Sequence, residues 1–195
     1  MAARDGGLKA RALAGETVRG AMVVGAHGVM VPMVESAEQA RRIVEATHYP
    51  PLGRRGAGFA MAHDDYEVGD VRTKIPALNE RTLVIAQIET ERGLAEVEAI
   101  AATQGIDVLW LGHFDLANFL GIPAEFEHPK YLEAVRAIVA AGRRHGKALG
   151  FMAADADWAR RYRGLGFNMI AAGLDQTLLQ SAIRATLAAL EGARK

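Results

Sequence analysis

The chain has 195 residues, half of them hydrophobic and few aromatic, which is enough to bury one sizeable core and too apolar for a disordered chain. Its 23 Lys and Arg balance 23 Asp and Glu, so composition gives no reason to expect a nucleic acid or a membrane surface as partner. With no cysteine there is neither a disulfide frame nor a thiolate nucleophile, and a reducing cytoplasm is compatible.

Residues 1–15 carry no periodicity and read as a tail, with residues 16–195 as a single domain. The N-terminus lacks the apolar core of a signal peptide, and no apolar run approaches the roughly 18–20 residues that span a bilayer. A helix is expected from Glu16 to about Gly25, a natural C-cap. Gly28 then opens VMVPMV, expected as a buried strand over 29–34 that bends at Pro32, because proline removes a ladder donor. Ser36 is a good N-cap for AEQARRIVEATHY, a helix that should stop before Pro50. Residues 50–71 read as a loop with Gly53, Gly56 and Gly58 around two arginines, a composition that can cradle an anion but lacks the spacing of a phosphate fingerprint. His63, Asp64 and Asp65 in that loop read as solvated residues rather than a metal cluster.

The centre of the chain is the stretch 83–115. Two apolar runs, LVIAQI and VLWL, each end in a carboxylate-bearing turn, and an amphipathic segment joins them, the pattern of strand, helix, strand. Continuously apolar strands joined by a helix are read as parallel neighbours buried on both faces. Glu89 and Asp115 then fall at the same C-terminal edge, where α/β folds place ligand sites. Beyond it, Pro129 starts a long helix with Leu132, Val135, Ile138 and Val139 on one face. ALGFMAA follows as a buried strand, Asp155 caps the next helix, Gly166 closes it, MIAAG is a short strand, and residues 175–191 form the last helix. Trp158 and Tyr162, four apart, are expected to pack together. About five strands each followed by a helix, with no hairpin signal, give an α/β fold with a parallel sheet. A closed eight-stranded barrel takes about 250 residues, so the chain reads as about three units short of one.

Oxygen ligands suit Mg²⁺ or Mn²⁺, which leave open positions for a substrate. A cation between Glu89 and Asp115 would have room for a 2-oxo acid, and Gln87, on the same strand face as Glu89, could hydrogen-bond it. The alternative is that both acids simply cap helices.

The stretches VMVPMVESAEQARRIVEATHYPPLGRRGAG, VIAQIETERGL, LWLGHFDL and GKALGFMAAD to AAGLDQTLL together resemble the HpcH/HpaI aldolase family of the phosphoenolpyruvate/pyruvate barrel superfamily, over roughly residues 16–190. The resemblance implies a TIM-type (β/α)8 barrel, N-terminally truncated to about five β/α units, and a divalent-metal aldolase that cleaves a 2-oxo-hydroxy acid reversibly to pyruvate, or a related 2-oxo acid, and an aldehyde. It implies Glu89 and Asp115 as ligands of Mg²⁺ or Mn²⁺, Gln87 as the glutamine of the Gln-x-Glu motif, the backbone from Gly112 through His113 to Phe114 against the substrate carboxylate, and Met152 at an apolar substrate contact. It also implies a homo-oligomer, and the absence of cysteine and of a signal peptide makes the cytoplasm the expected location. The family's proline is His113 here, which leaves a third ligand, a proton shuttle or a tolerated loop substitution as readings of that residue, and Ala117 stands for the usual serine. The family's histidine base and carboxylate-gripping arginine lie on earlier strands; His27 and Arg19 lie on the segment that enters the first strand here from the opposite end of the sheet and are not taken to replace them. Weak or absent aldolase activity is therefore expected of this chain, the alternative function being an inactive truncated homologue that binds or oligomerises. A lyase acting on a thioester or dicarboxylate is a third reading.

Overall fold

The computed structural model describes residues 15–192, so most of the expected tail lies outside the described residues. The chain forms two compact units, Met1–Leu149 and Gly150–Lys195.

The first unit opens with helix α1 (Gly15–Val23), which ends before Gly25 at φ +102°, a left-handed conformation that a glycine adopts without steric cost. Strand β1 is Gly28–Val31, shorter than the expected 29–34 and only partly buried, with Met30 39% exposed. The ladder stops where Pro32 lacks an N–H, and Met33 turns into the left-handed region at φ +51°. Among the described residues β1 pairs only with β2, which leaves its other edge open.

Helix α2 (Ala37–Thr47) begins as expected, with the Ser36 side chain accepting from the Gln39 amide, and buries Ala40, Ile43, Val44 and Thr47 along one side. The loop that follows contains a short 3₁₀ turn, Ala62–Asp64. Here the sequence reading needs correction, because His63 and Asp64 are buried at 3% and 5% exposure rather than solvated. Lys74 donates to Asp64 at 2.8 Å, and the amides of Ala60 and Met61 donate to the same carboxylate, which holds Asp64 well below the usual carboxylate range. Lys74 belongs to helix α3 (Val71–Arg81), which the sequence did not suggest. Pro76 sits inside it and only Leu78 is buried, so neither propensity nor periodicity marks it. A polar exchange secures this helix: Tyr49 N donates to Asn79 Oδ1 at 2.8 Å and Asn79 Nδ2 returns to Tyr49 O at 3.1 Å.

Strand β2 (Leu83–Ile88) lies between β1 and β3 (Val108–Leu111), parallel to both, with Ala86 opposite Val31 on one side and Leu109 on the other. Pairing on both edges, with α2 packed against the strand, goes with the burial of every residue of β2 after Leu83, which reads as one apolar run. The β2–β3 crossover is not one helix but two short ones, α4 (Glu91–Ala95) and α5 (Val97–Ala101), which meet at Glu96. Helix α6 (His113–Phe119) follows β3 directly, and α7 (Pro129–Arg144) follows with His128 as its cap. α7 buries Val135, Ile138 and Val139 of the expected face together with Tyr131 and Ala134, while Leu132 is only partly buried.

Strand β4 (Ala148–Ala153) starts in the first unit, where the Ala148 amide donates to Asp107 O at 3.0 Å. In the second unit it pairs in parallel with β5 (Met169–Ala172), Gly150 opposite Met169. Helix α8 (Ala156–Leu165) joins them, capped by Asp155 through the amides of Asp157 and Trp158 and closed by Gly166 at φ +113°. Trp158 and Tyr162 stack as expected, with ring centroids 5.8 Å apart, and Phe151 lies against Tyr162 at 3.6 Å. Helix α9 (Asp175–Gly192) ends the described chain.

Candidate functional site

The first unit brings the expected residues to the C-terminal ends of β2 and β3. Gln87 and Ile88 close β2, and Val34 N reaches Gln87 O at 3.2 Å, so the chain leaving β1 is pinned beside the end of β2. Glu89 is the next residue, 3% exposed, and its surroundings answer the question whether it is a helix cap. The cap of α4 is Thr90, whose hydroxyl accepts from Gly93 N at 3.0 Å. Glu89 turns instead to the strand ends: its Oε1 accepts from Met33 N at 2.9 Å and its Oε2 from Gln87 Nε2 at 2.5 Å. The left-handed turn at Met33 acquires a purpose in this geometry, because it aims the Met33 amide at the carboxylate.

Gly112, at the end of β3, closes the other side. Its amide donates to Ile88 O at 3.1 Å, and a Cβ built on it would stand 2.5 Å from Glu89 Oε2 and 2.8 Å from Gln87 Nε2. Only glycine lets the β3 backbone approach the carboxylate this closely. The Gln87 amide orientation follows from chemistry, since a carboxylate accepts and its partner must donate. Gln87 Oε1 is then left buried with no hydrogen-bond partner, an acceptor held beside the carboxylate.

Asp115 lies in the first turn of α6, exposed, and its side chain makes no hydrogen bond or ion pair among the described residues. Neither acid therefore acts as a side-chain helix cap. His113 is 5% exposed, with its ring 4.5 Å from Phe114 and 5.5 Å from Phe126. Burial lowers its pKa to about 4 against the opposing pull of Asp115, so the imidazole is neutral at physiological pH. Phe114 is more than half exposed. Met152 lies on β4 in the second unit, partly buried.

Gln87, Glu89 and Gly112 are thus in mutual contact, with His113 the next residue after Gly112 and Asp115 two residues beyond it in the first turn of α6. The donor set, two carboxylates and an amide oxygen, is of the type hard cations take. Among the described residues no cluster of three or more His, Asp or Glu forms a ready cage, so a cation here would keep part of its coordination for water or substrate. Sequence reasoning missed the Met33 amide as a partner of Glu89; the signal available was Pro32, which marks the strand's end.

The profile of the family described as HpcH/HpaI aldolase/citrate lyase matches residues 9–182. The chain belongs to this family. It is 36% identical over 165 residues to the 2-keto-3-deoxy-L-rhamnonate aldolase of Salmonella typhimurium strain LT2, covering 85% of this chain and 61% of that protein. To the hydroxypyruvate/pyruvate aldolase of Chromohalobacter salexigens it is 39% identical over 170 residues, 87% of this chain and 66% of that protein. The crystal structure of an HpcH/HpaI aldolase from Desulfitobacterium hafniense superimposes with a TM-score of 0.83 at 32% identity, covering 91% of this chain and 68% of that one. The chain thus spans 61% of the length of the Salmonella aldolase, and its α/β fold with five parallel strands is the TIM-type fold of the family in that portion.

Proposed function

We propose that this HpcH/HpaI family member is a divalent-metal-dependent carbon–carbon lyase that cleaves a 2-oxo-hydroxy acid reversibly to pyruvate, or a related 2-oxo acid, and an aldehyde. The observation that carries the reading is the Glu89 carboxylate, buried at the strand ends and gripped by Met33 N and Gln87 Nε2. Glu89 and Asp115 would hold Mg²⁺ or Mn²⁺, which when bound supplies a Lewis acid for the oxygen where negative charge develops. The protein's own part is positioning. Gln87 fixes one carboxylate oxygen and offers its unspent Oε1 to a substrate hydroxyl or water, while the close approach of Gly112 keeps Glu89 from swinging. The backbone of residues 112–114 would line the substrate carboxylate, and neutral His113 would stiffen that segment by packing on Phe126 rather than carry charge.

Calorimetry with Mn²⁺ tests the metal reading without requiring turnover: the wild-type chain is expected to bind, and Glu89→Ala and Asp115→Ala to lose binding. Unchanged isotherms in both variants overturn it. Pyruvate release from a 4-hydroxy-2-oxo acid, dependent on Mg²⁺ or Mn²⁺ and lost in the same variants, tests the lyase reading. A second reading is a subunit that binds the cation without turnover. It predicts metal binding with no pyruvate release.

Association into a homo-oligomer belongs to the same proposal. Helix α9 displays Leu179, Ile183, Leu187 and Leu190, each at least half exposed, an apolar face that supports self-association. No helix among the described residues is long and apolar enough to cross a membrane, and small-molecule chemistry in the cytoplasm suits the cysteine-free chain.

A further inference from the structure

The arginine-bearing loop between α2 and α3 is not used by the site at Glu89, yet it holds an unusual concentration of unpaired polar atoms. Arg55 is 5% exposed, Tyr49 fully buried and His63 3% exposed. Tyr49 Oη, Arg55 Nε and both ring nitrogens of His63 are buried without hydrogen-bond partners. The Gly58 backbone lies near the His63 ring but outside hydrogen-bonding geometry. These groups form one cluster. The Arg55 guanidinium carbon sits 4.8 Å from the Tyr49 ring centroid, the His63 ring centroid is 6.4 Å from that of Tyr49, and Phe59 lies against both rings.

The charges around the cluster point one way. Among the described residues Arg55 has no carboxylate partner; one of its N–H groups donates to Met22 O at the end of α1 at 2.9 Å, and the other guanidinium that acts on it is Arg81. The two nearby acids are engaged elsewhere, Asp64 with Lys74 at 2.8 Å and Asp65 with Arg81 at 3.2 Å. A guanidinium buried without a counter-charge is costly, and so is a buried phenol or imidazole without a partner. A single small oxyanion answers all three deficits, since it accepts from a guanidinium N–H, a phenolic O–H and an imidazole N–H together. Water could bridge the phenol and imidazole but would leave the positive charge unbalanced. The cluster lies beside α1 and the segment entering β1, on the opposite edge of the strands from Glu89.

We propose that Tyr49, Arg55 and His63 form a buried structural site for a small oxyanion of the phosphate class. Its burial excludes a large phosphorylated metabolite and favours the free ion, bound as a folded-state ligand that braces the α2–α3 loop against α1.

Equilibrium urea unfolding of the full chain tests this without requiring rapid access to the site, because a ligand that binds only the folded state raises stability with its concentration. The midpoint of the wild type is compared in inorganic phosphate and in chloride of equal ionic strength, alongside Tyr49→Phe and Arg55→Gln. Phosphate also stabilises proteins generally, so the readout is the difference between wild type and variant. The expected result is a phosphate-dependent rise in the wild type that Arg55→Gln lacks, with apparent phosphate affinity about tenfold or more weaker in Tyr49→Phe, as befits loss of one hydrogen bond to a charged group. Should Arg55→Gln not fold, Tyr49→Phe, which keeps the ring and its stacking, carries the test alone. An equal rise in wild type and Tyr49→Phe, or no rise beyond chloride in the wild type, overturns the proposal.

Discussion

Glu89 is held by neighbours from three separate stretches of chain: Met33 after β1, Gln87 on its own strand and Gly112 after β3. A carboxylate fixed this way cannot shift without disturbing two strand ends, and Gly112 is where the least space remains. Gly112→Ala places a methyl inside the contact radius of both Glu89 and Gln87. The variant is expected to lose about 1–3 kcal/mol of stability, as overpacked sites do, measured by urea unfolding. Because the displaced groups support the proposed metal ligand, divalent-metal affinity by calorimetry should also fall about 10–100-fold. A variant as stable as wild type with unchanged affinity would show that the strand ends are looser than the geometry indicates.

At the scale of elements, the loop between α2 and α3 and the helix after it account for most of what the sequence left unread. Asp64 looked like one polar residue among several, and its role depends on Lys74 ten residues on and on two loop amides. Such pairings have no periodicity to betray them. The same region shapes the pH response. Burial lowers the pKa of His48 below 6.5, against the raising effects of its Val44 carbonyl bond and Asp107, and burial also lowers that of His63. As pH falls below 6.5 the unfolded chain takes up protons that these folded-state imidazoles refuse, so stability declines with falling pH through that window. The Asp64 contribution has a depressed folded pKa and is lost only at lower pH, below the ordinary carboxylate value of 3.8. The urea midpoint is therefore expected to decrease from pH 7.5 to pH 5, with a shallower decrease in His48→Gln. A midpoint flat over that range would contradict the assigned burial effects.

For the molecule as a whole, the exposed apolar residues of α9 set the expectation for assembly. Size-exclusion chromatography with light scattering is expected to show an oligomer of the wild-type chain, and Ile183→Asp together with Leu187→Asp to shift it toward the monomer. A monomeric wild type would leave those side chains to another role. The relatives named as aldolases share this portion of the chain at 36% and 39% identity.

By itself the sequence determined the five strands, their parallel order, the caps at Ser36 and Asp155, and the candidate pair Glu89 and Asp115. Those features are written locally, in apolar runs of strand length, in capping side chains and in acids within a few residues of the ends of such runs. Tertiary structure decided the rest. It shortened β1 at Pro32, built α3 around polar contacts to Tyr49, buried His63 and Asp64, and turned Glu89 from a potential helix cap into a carboxylate held by Met33 and Gln87. The physical reason is the same in each case: a buried polar group is stable only where its partners are, and those partners are brought in by folding from distant parts of the chain.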